Sequence, residues 1–192
     1  MTDFIGFPKI ARWNREYVIT EKIDGTNACV HIGDLYGDAE PEFLVGSRTR
    51  WITPEADNFG FARWAHENRA ELMKLGPGTH FGEWWGSGIQ RGYGLPKGEK
   101  RFSLFNVAKW SDAATRPACC HVVPELLRVP YGCDNAVSVV LESLRRDGSK
   151  AAPGFMNPEG IVIFHTAGSH LYKVTLEGDE KPKTIGASQE KT

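Results

Sequence analysis

The sequence predicts an α+β fold: two largely antiparallel β-sheets with flanking helices. Three observations carry this. Segments of strand composition outnumber segments of helical period, several neighbouring strand segments are separated only by short turns, and 192 residues suffice for one well-buried core but are short for two. Tyr17 to Ile23 and Ala28 to Ile32 read as two strands bent around Asp24-Gly25, which puts Lys22 at the lip of a hairpin or sharp bend. Glu42 to Ser47 reads as a strand ending in Ser47-Arg48-Thr49-Arg50. Phe61, Ala65, Leu72 and Leu75 recur at helical spacing, with Asn58 as the cap and Gly76-Pro77-Gly78 as the stop. Thr79 to Trp85 and Arg101 to Trp110 are strands around the glycine-rich stretch GSGIQRGYGLPKG. After Asp134, the residues Val137, Val140, Leu141 and Leu144 share one helical face and Gly148 follows the last turn. Gly160 to His165 and His170 to Leu176 form the last pair of strands, and a polar, lysine-rich tail follows from Gly178.

Composition limits the function classes. Lys and Arg number 23 against 24 Asp and Glu, so the chain does not hold polyanions by bulk charge, and a nucleic-acid partner needs a local basic groove. There is no signal peptide and no apolar run long enough to span a bilayer, and Cys29, Cys119, Cys120 and Cys133 are irregularly spaced, a pattern that favours a reducing cytoplasm. Paired zinc ligands usually stand two to four residues apart. Cys119 and Cys120 are adjacent, so the cysteines read as buried free thiols rather than as a zinc site. Six tryptophans and ten phenylalanines furnish an aromatic core, with one or two rings to spare for stacking on a base.

Lys22 poses the chemical question. A lysine with an ordinary pKa of about 10.4 is almost entirely ammonium at neutral pH and no nucleophile. Desolvation or neighbouring cations favour the free amine, whereas Asp24 by itself holds the proton on. Taken alone, the local acids describe an inert ion pair.

The string EKIDGTN, Glu21 to Asn27, resembles the lysine-x-acid-glycine signature of the covalent nucleotidyltransferases, which include ATP-dependent DNA ligases, RNA ligases and messenger-RNA capping enzymes. Its Thr26-Asn27 extension is similar to the nick-sealing RNA ligase branch. The family's further elements follow in order: Arg48 in Ser47-Arg48-Thr49, shortly after the first hairpin, Glu83 in HFGEWWGSGIQ, Phe105 in RFSLFNVAKW with Phe102 as the second choice, Glu159 in EGIV, and Lys173 in HLYKVTLE. This resemblance implies a ligase-type, ATP-grasp-like nucleotidyltransferase domain over residues 1–178, with a partly disordered tail over 179–192.

What the resemblance implies about chemistry has physical sense. If Lys22 attacks the α-phosphorus of ATP, cations must meet the charge that develops on the phosphoryl oxygens, and Lys173 is placed for that. Mg2+ or Mn2+ would offset more of it, with Glu159 and Asp24 as direct or water-mediated ligands. Phe105 would stack on adenine, Glu83 would accept a ribose hydroxyl, and Glu21 and Asn27 complete the nucleotide set. Arg48, Gln90 and Arg91 are the expected nucleic-acid contacts, and Tyr93, Lys97 and Lys100 lie in the same loop. Implied is an ATP-dependent RNA ligase that joins a 5′-phosphate to a 3′-hydroxyl. Two departures stand out. The family usually ends in Lys-x-Lys, but here the string is Lys173-Val174-Thr175, so one cation is replaced by a hydroxyl or supplied from elsewhere, with Lys181 and Lys183 as candidates. The stretch after Lys173 is too short for an OB-fold or helical domain, which implies a helper subunit supplying it. A nucleotide- or RNA-binding module without catalysis, and an adenylyltransferase for another class of substrate, stay open.

Overall fold

The computed structural model describes residues 3–34, 41–131 and 135–177; the tail, Lys181, Lys183 and Cys133 lie outside them. Among the described residues, ten strands form two sheets. β1 (Tyr17–Lys22), β8 (Glu125–Val129), β9 (Gly160–His165) and β10 (His170–Thr175) form an antiparallel sheet in the order β10-β9-β1-β8. β2 (Thr26–Ile32), β3 (Phe43–Ser47), β4 (Trp51–Ile52), β5 (Gly78–Gly86), β6 (Lys100–Leu104) and β7 (Cys120–Val122) form the other, in the order β4-β3-β2-β5-β6-β7. Only β6 and β7 run parallel among these pairs.

Lys22 stands at a sharp bend rather than in a hairpin, because β1 and β2 do not pair: each belongs to a different sheet. The chain crosses between the sheets at Asp24-Gly25. Gly25 passes so close to β5 that a β-carbon there would lie 2.5 Å from the Trp84 carbonyl oxygen and 2.7 Å from Trp85 Cβ. Only glycine fits such an approach.

The helices cover the outer faces. α1 (Phe61–Glu67) and α2 (Arg69–Leu72) follow one another, broken at Asn68, and a 3-10 turn over Met73–Leu75 completes the segment expected as one helix. Its cap is not Asn58. The Asp57 carboxylate accepts the backbone N–H of Ala62 at 2.7 Å and of Arg63 at 3.1 Å, while Asn58 Nδ2 donates to Thr26 Oγ1. Phe61, Ala65 and Leu72 pack with Val30, Val45, Trp84, Phe102 and Leu104 of the six-stranded sheet. The strand expected over Arg101 to Trp110 ends at Leu104. Asn106 Oδ1 accepts the Lys109 N–H and starts the short helix α3 (Val107–Trp110) instead.

α4 (Ala136–Asp147) lays Ala136, Val140, Leu141 and Leu144 on the outer face of the four-stranded sheet, against Ile19, Val129 and Ile161. Gly148, at φ 76°, ends it by donating to the Leu144 carbonyl. A third cluster joins the sheets face to face: Val18, Ile23, Trp85, Tyr93, Val107, Val123 and Ala152. Beyond this cluster the two inner faces stay open to each other and carry the candidate site. Among the described residues no helix is long and apolar enough to cross a membrane.

Candidate active site

Directly paired residues of an antiparallel ladder share a face, so the register places the site. Lys22 pairs with Gly160, and Gly160 pairs with Thr175; one row back, Thr20, Val162 and Lys173 align. Lys22, Lys173 and Thr175 therefore share the inner face of the four-stranded sheet. Thr175 lies two strand spacings, about 10 Å, from Lys22. Gly160 between them has no side chain, so nothing from β9 fills that space.

Lys22 Nζ donates to Glu159 Oε2 at 2.6 Å, with about a quarter of the lysine side chain exposed. The bend beyond it is braced from the β5–β6 loop. Asp24 donates its backbone N–H to the Tyr93 hydroxyl at 2.9 Å, and that hydroxyl donates to the Lys22 carbonyl. Tyr93 is buried, its φ is 51°, and burial pushes its phenol up, so it remains a neutral donor and acceptor. This corrects the expectation that Tyr93 offers its ring to nucleic acid: the ring packs against Trp85 and Phe155.

Arg91 Nε donates to Asp24 Oδ2 at 3.0 Å. Its Nη1 reaches Asn157 Oδ1 at 3.0 Å and Glu177 Oε1 at 3.1 Å. One guanidinium thus ties together the bend, the segment leading to Glu159 and the end of β10. Gln90 is exposed in the same loop.

On the facing sheet, Glu83 pairs with Asn27 and Ser103. Its carboxylate accepts the Gly25 N–H at 3.1 Å and Asn27 Nδ2 at 2.9 Å. Burial pushes its pKa up to about 7, opposed by the Asn27 hydrogen bond and the charge of Lys22. Phe105, 42% exposed, follows β6 and donates its N–H to the Phe81 carbonyl; Phe102 is sealed in the core beside Phe61 and Trp64. Arg48 is exposed at the β3–β4 turn, one residue past Ser47, which pairs with Ala28.

Glu21, expected among the nucleotide contacts, is not brought to this side. As the strand neighbour of Lys22 it points to the opposite face, where its buried carboxylate accepts the Ser149 hydroxyl and the N–H groups of Lys150 and Ala151. Burial raises its pKa against those three hydrogen bonds. Sequence reasoning did not find the bracing by Tyr93, Asn157, Ser149 and Glu177. The only signal was for Tyr93, a bulky residue amid the glycines of the β5–β6 loop.

Asp24 and Glu159 are hard oxygen donors suited to a divalent cation, but each is engaged by a basic side chain, and no three His, Cys, Asp or Glu among the described residues are grouped to hold one. The fit is to a cation held largely by the phosphates of a nucleotide and by water.

Two sheets that face each other across a cleft, with a lysine presented at the crossing between them, define a nucleotidyltransferase-type domain. Residues 15–175 match the family model described as RNA ligase, and the chain belongs to the RNA ligase family. Among solved structures it is similar to Naegleria gruberi RNA ligase. A lysine-to-alanine mutant of that enzyme with ATP and Mn aligns at a TM-score of 0.56 and 18% identity, covering 85% of this chain and 50% of that one. A glutamate-to-alanine mutant with ATP and Mn gives 0.56 and 18% over 88% and 53%. A second glutamate-to-alanine mutant, with AMP and Mn, gives 0.56 and 18% over 85% and 50%. At this identity the likeness is one of fold, and the chain spans about half the length of these ligases. No curated protein matches.

Proposed function

We propose that this domain is the adenylylating core of an ATP-dependent RNA ligase and that Lys22 carries AMP. The observation that supports this best is the bend: Lys22 Nζ stands on the cleft face, 2.6 Å from Glu159, beside the space that Gly160 leaves open toward Thr175 and Lys173. Glu159 keeps the ammonium in place until the nucleotide arrives. Lys22 gives up its extra proton to solvent, the amine forms a P–N bond to the α-phosphorus of ATP and loses a second proton to solvent, the P–O bond to the β-phosphate breaks, and pyrophosphate leaves with the electron pair. Lys173 meets the charge on the phosphoryl oxygens. Phe105 offers its exposed ring to adenine, and Asn27, Glu83 and Arg48 stand on the ribose side. Asp24 and Glu159 would help hold a Mg2+ or Mn2+, which would supply positive charge to offset that of the phosphates.

In the two later steps an oxygen of a 5′-phosphate end displaces Lys22 from phosphorus, and a 3′-hydroxyl then displaces AMP. Arg48 and Gln90, both exposed, hold the strand end, while Arg91, expected beside them, is engaged by Asp24, Asn157 and Glu177 and holds the bend. Because the chain spans about half the length of its structural relatives, lysine adenylylation is tested apart from end joining. The test is the intact mass before and after ATP and magnesium. Wild type is expected to gain one AMP and Lys22→Ala none, with both equally folded. AMP on Lys22→Ala would sink the assignment, and ATP binding without a covalent product would favour a binding module.

A further inference from the structure

Beyond the nucleotide cleft, the inner face of the six-stranded sheet carries a second feature. Phe81, Cys29, Gly46 and Trp51 pair in succession, so they form one row across β5, β2, β3 and β4, about 14 Å from end to end. The two ends are large exposed rings, Phe81 at 60% and Trp51 at 53%, and the middle is a thiol and a glycine. The indole leans over Gly46: a β-carbon there would lie 3.1 Å from both Trp51 Cε3 and Cζ3. Gly46 thus makes room for the ring. His31 stands at a tilt 6.1 Å away.

The exposed cations Arg48 and Arg50 lie in the β3–β4 turn, three residues and one residue before Trp51, and Arg50 Nη1 donates to the Ala56 carbonyl at 3.3 Å. Asn27 and Glu83 stand on the same sheet face, two residues further along β2 and β5. A tryptophan that covers core is normally enclosed. This one is half exposed, preceded in the chain by two exposed arginines and continuous with the cleft, the combination by which proteins track single strands: a ring for the base and cations for the phosphates. Apolar protein partners would leave both arginines without counter-charges.

We infer that Trp51 is a nucleobase-stacking platform for the RNA strand, seating a nucleotide away from the reacting ends while Arg50 meets its phosphate. The inference rests on the RNA ligase reading. Its test separates stacking from packing, since Trp51→Phe keeps an aromatic face and Trp51→Leu keeps only apolar cover over Gly46 and Cys29.

Binding of a short 5′-phosphorylated single-stranded RNA is measured by fluorescence anisotropy, with lysine adenylylation and thermal midpoint measured in parallel. Trp51→Leu is expected to bind about tenfold more weakly, in the range that loss of one base–aromatic stack produces. Trp51→Phe should stay within about threefold of wild type, and both variants should adenylylate Lys22 normally. Unchanged RNA affinity in Trp51→Leu, whether or not its melting point moves, overturns the inference, as does a wild type that takes AMP but binds no RNA. A wild type that takes no AMP overturns the ligase reading itself.

Discussion

The Glu83 carboxylate is held between two neutral donors, Gly25 N–H and Asn27 Nδ2, in a setting that pushes its pKa up to about 7 by burial. In the unfolded chain it ionises near the ordinary glutamate value of about 4.3. Between the two values the folded chain holds more protons than the unfolded one, so stability falls as pH rises through that window and levels off above it. Glu83→Gln abolishes this titration and loses one acceptor, at a roughly constant cost of about 1 kcal/mol. The melting point of wild type relative to Glu83→Gln is therefore expected to drop by several degrees between pH 4.5 and about 7, at about 2–4 °C per kcal/mol. A difference that does not vary with pH would place the carboxylate's titration at its ordinary value. At this scale the sequence was legible where chemistry is local: Lys22 and Asp24, Glu159 before Gly160, and Glu83 within its short strand motif. It was silent on Ser149, whose acceptor Glu21 lies 128 residues away along the chain, and it marked Tyr93 only as a bulky residue amid glycines, without its donor Asp24, 69 residues away. Glu21 was foreseeable, since the strand period of two turns it away from Lys22.

Elements read well where their period was long or their punctuation strong: α4, β9, β10 and β5 lie close to their expected bounds. The two-residue β4 and the three-residue β7 escaped because such segments are too short to show alternation, β8 escaped because ELLRV has no period of two, and β6 was overextended because the cap at Asn106 is one side chain amid aromatics. The bend between β1 and β2 was placed but its form was left open, since Asp-Gly serves a hairpin as well as a crossing. Packing decides it: Val18 and Ile23 join the inter-sheet cluster, whereas Ala28, Val30 and Ile32 face α1. Gly25→Ala tests the crossing, because the added carbon meets backbone at Trp84 that belongs to a central strand and cannot move aside. The expected outcome is a loss above about 3 kcal/mol, seen as a melting point lower by about 6 °C or more in circular dichroism. A melting point within a degree of wild type would mean that the bend has slack, and that Lys22 is not rigidly presented.

At the scale of the whole molecule, three core clusters have separate duties. Two attach helices to outer faces, and the third fixes the distance and angle between the sheets, hence the shape of the cleft. Sequence periodicity marks all of these residues as apolar but does not say which sheet each strand joins, so the division was not legible. It has a measurable consequence. Leu144, 1% exposed, packs α4 to the outer face of the four-stranded sheet, and Leu144→Ala should cost about 2–5 kcal/mol. Val18, 4% exposed, lies in the inter-sheet cluster on the same strand as Lys22, and Val18→Ala removes fewer atoms and should cost less, about 1–2 kcal/mol. If the inter-sheet cluster sets the cleft, the milder mutation has the larger functional effect. Measured well below either melting point, the ATP concentration for half-maximal adenylylation should rise severalfold in Val18→Ala and stay near wild type in Leu144→Ala. Equal shifts in both, or a shift that follows the stability loss, would mean that the cleft responds to global stability rather than to the packing between its walls.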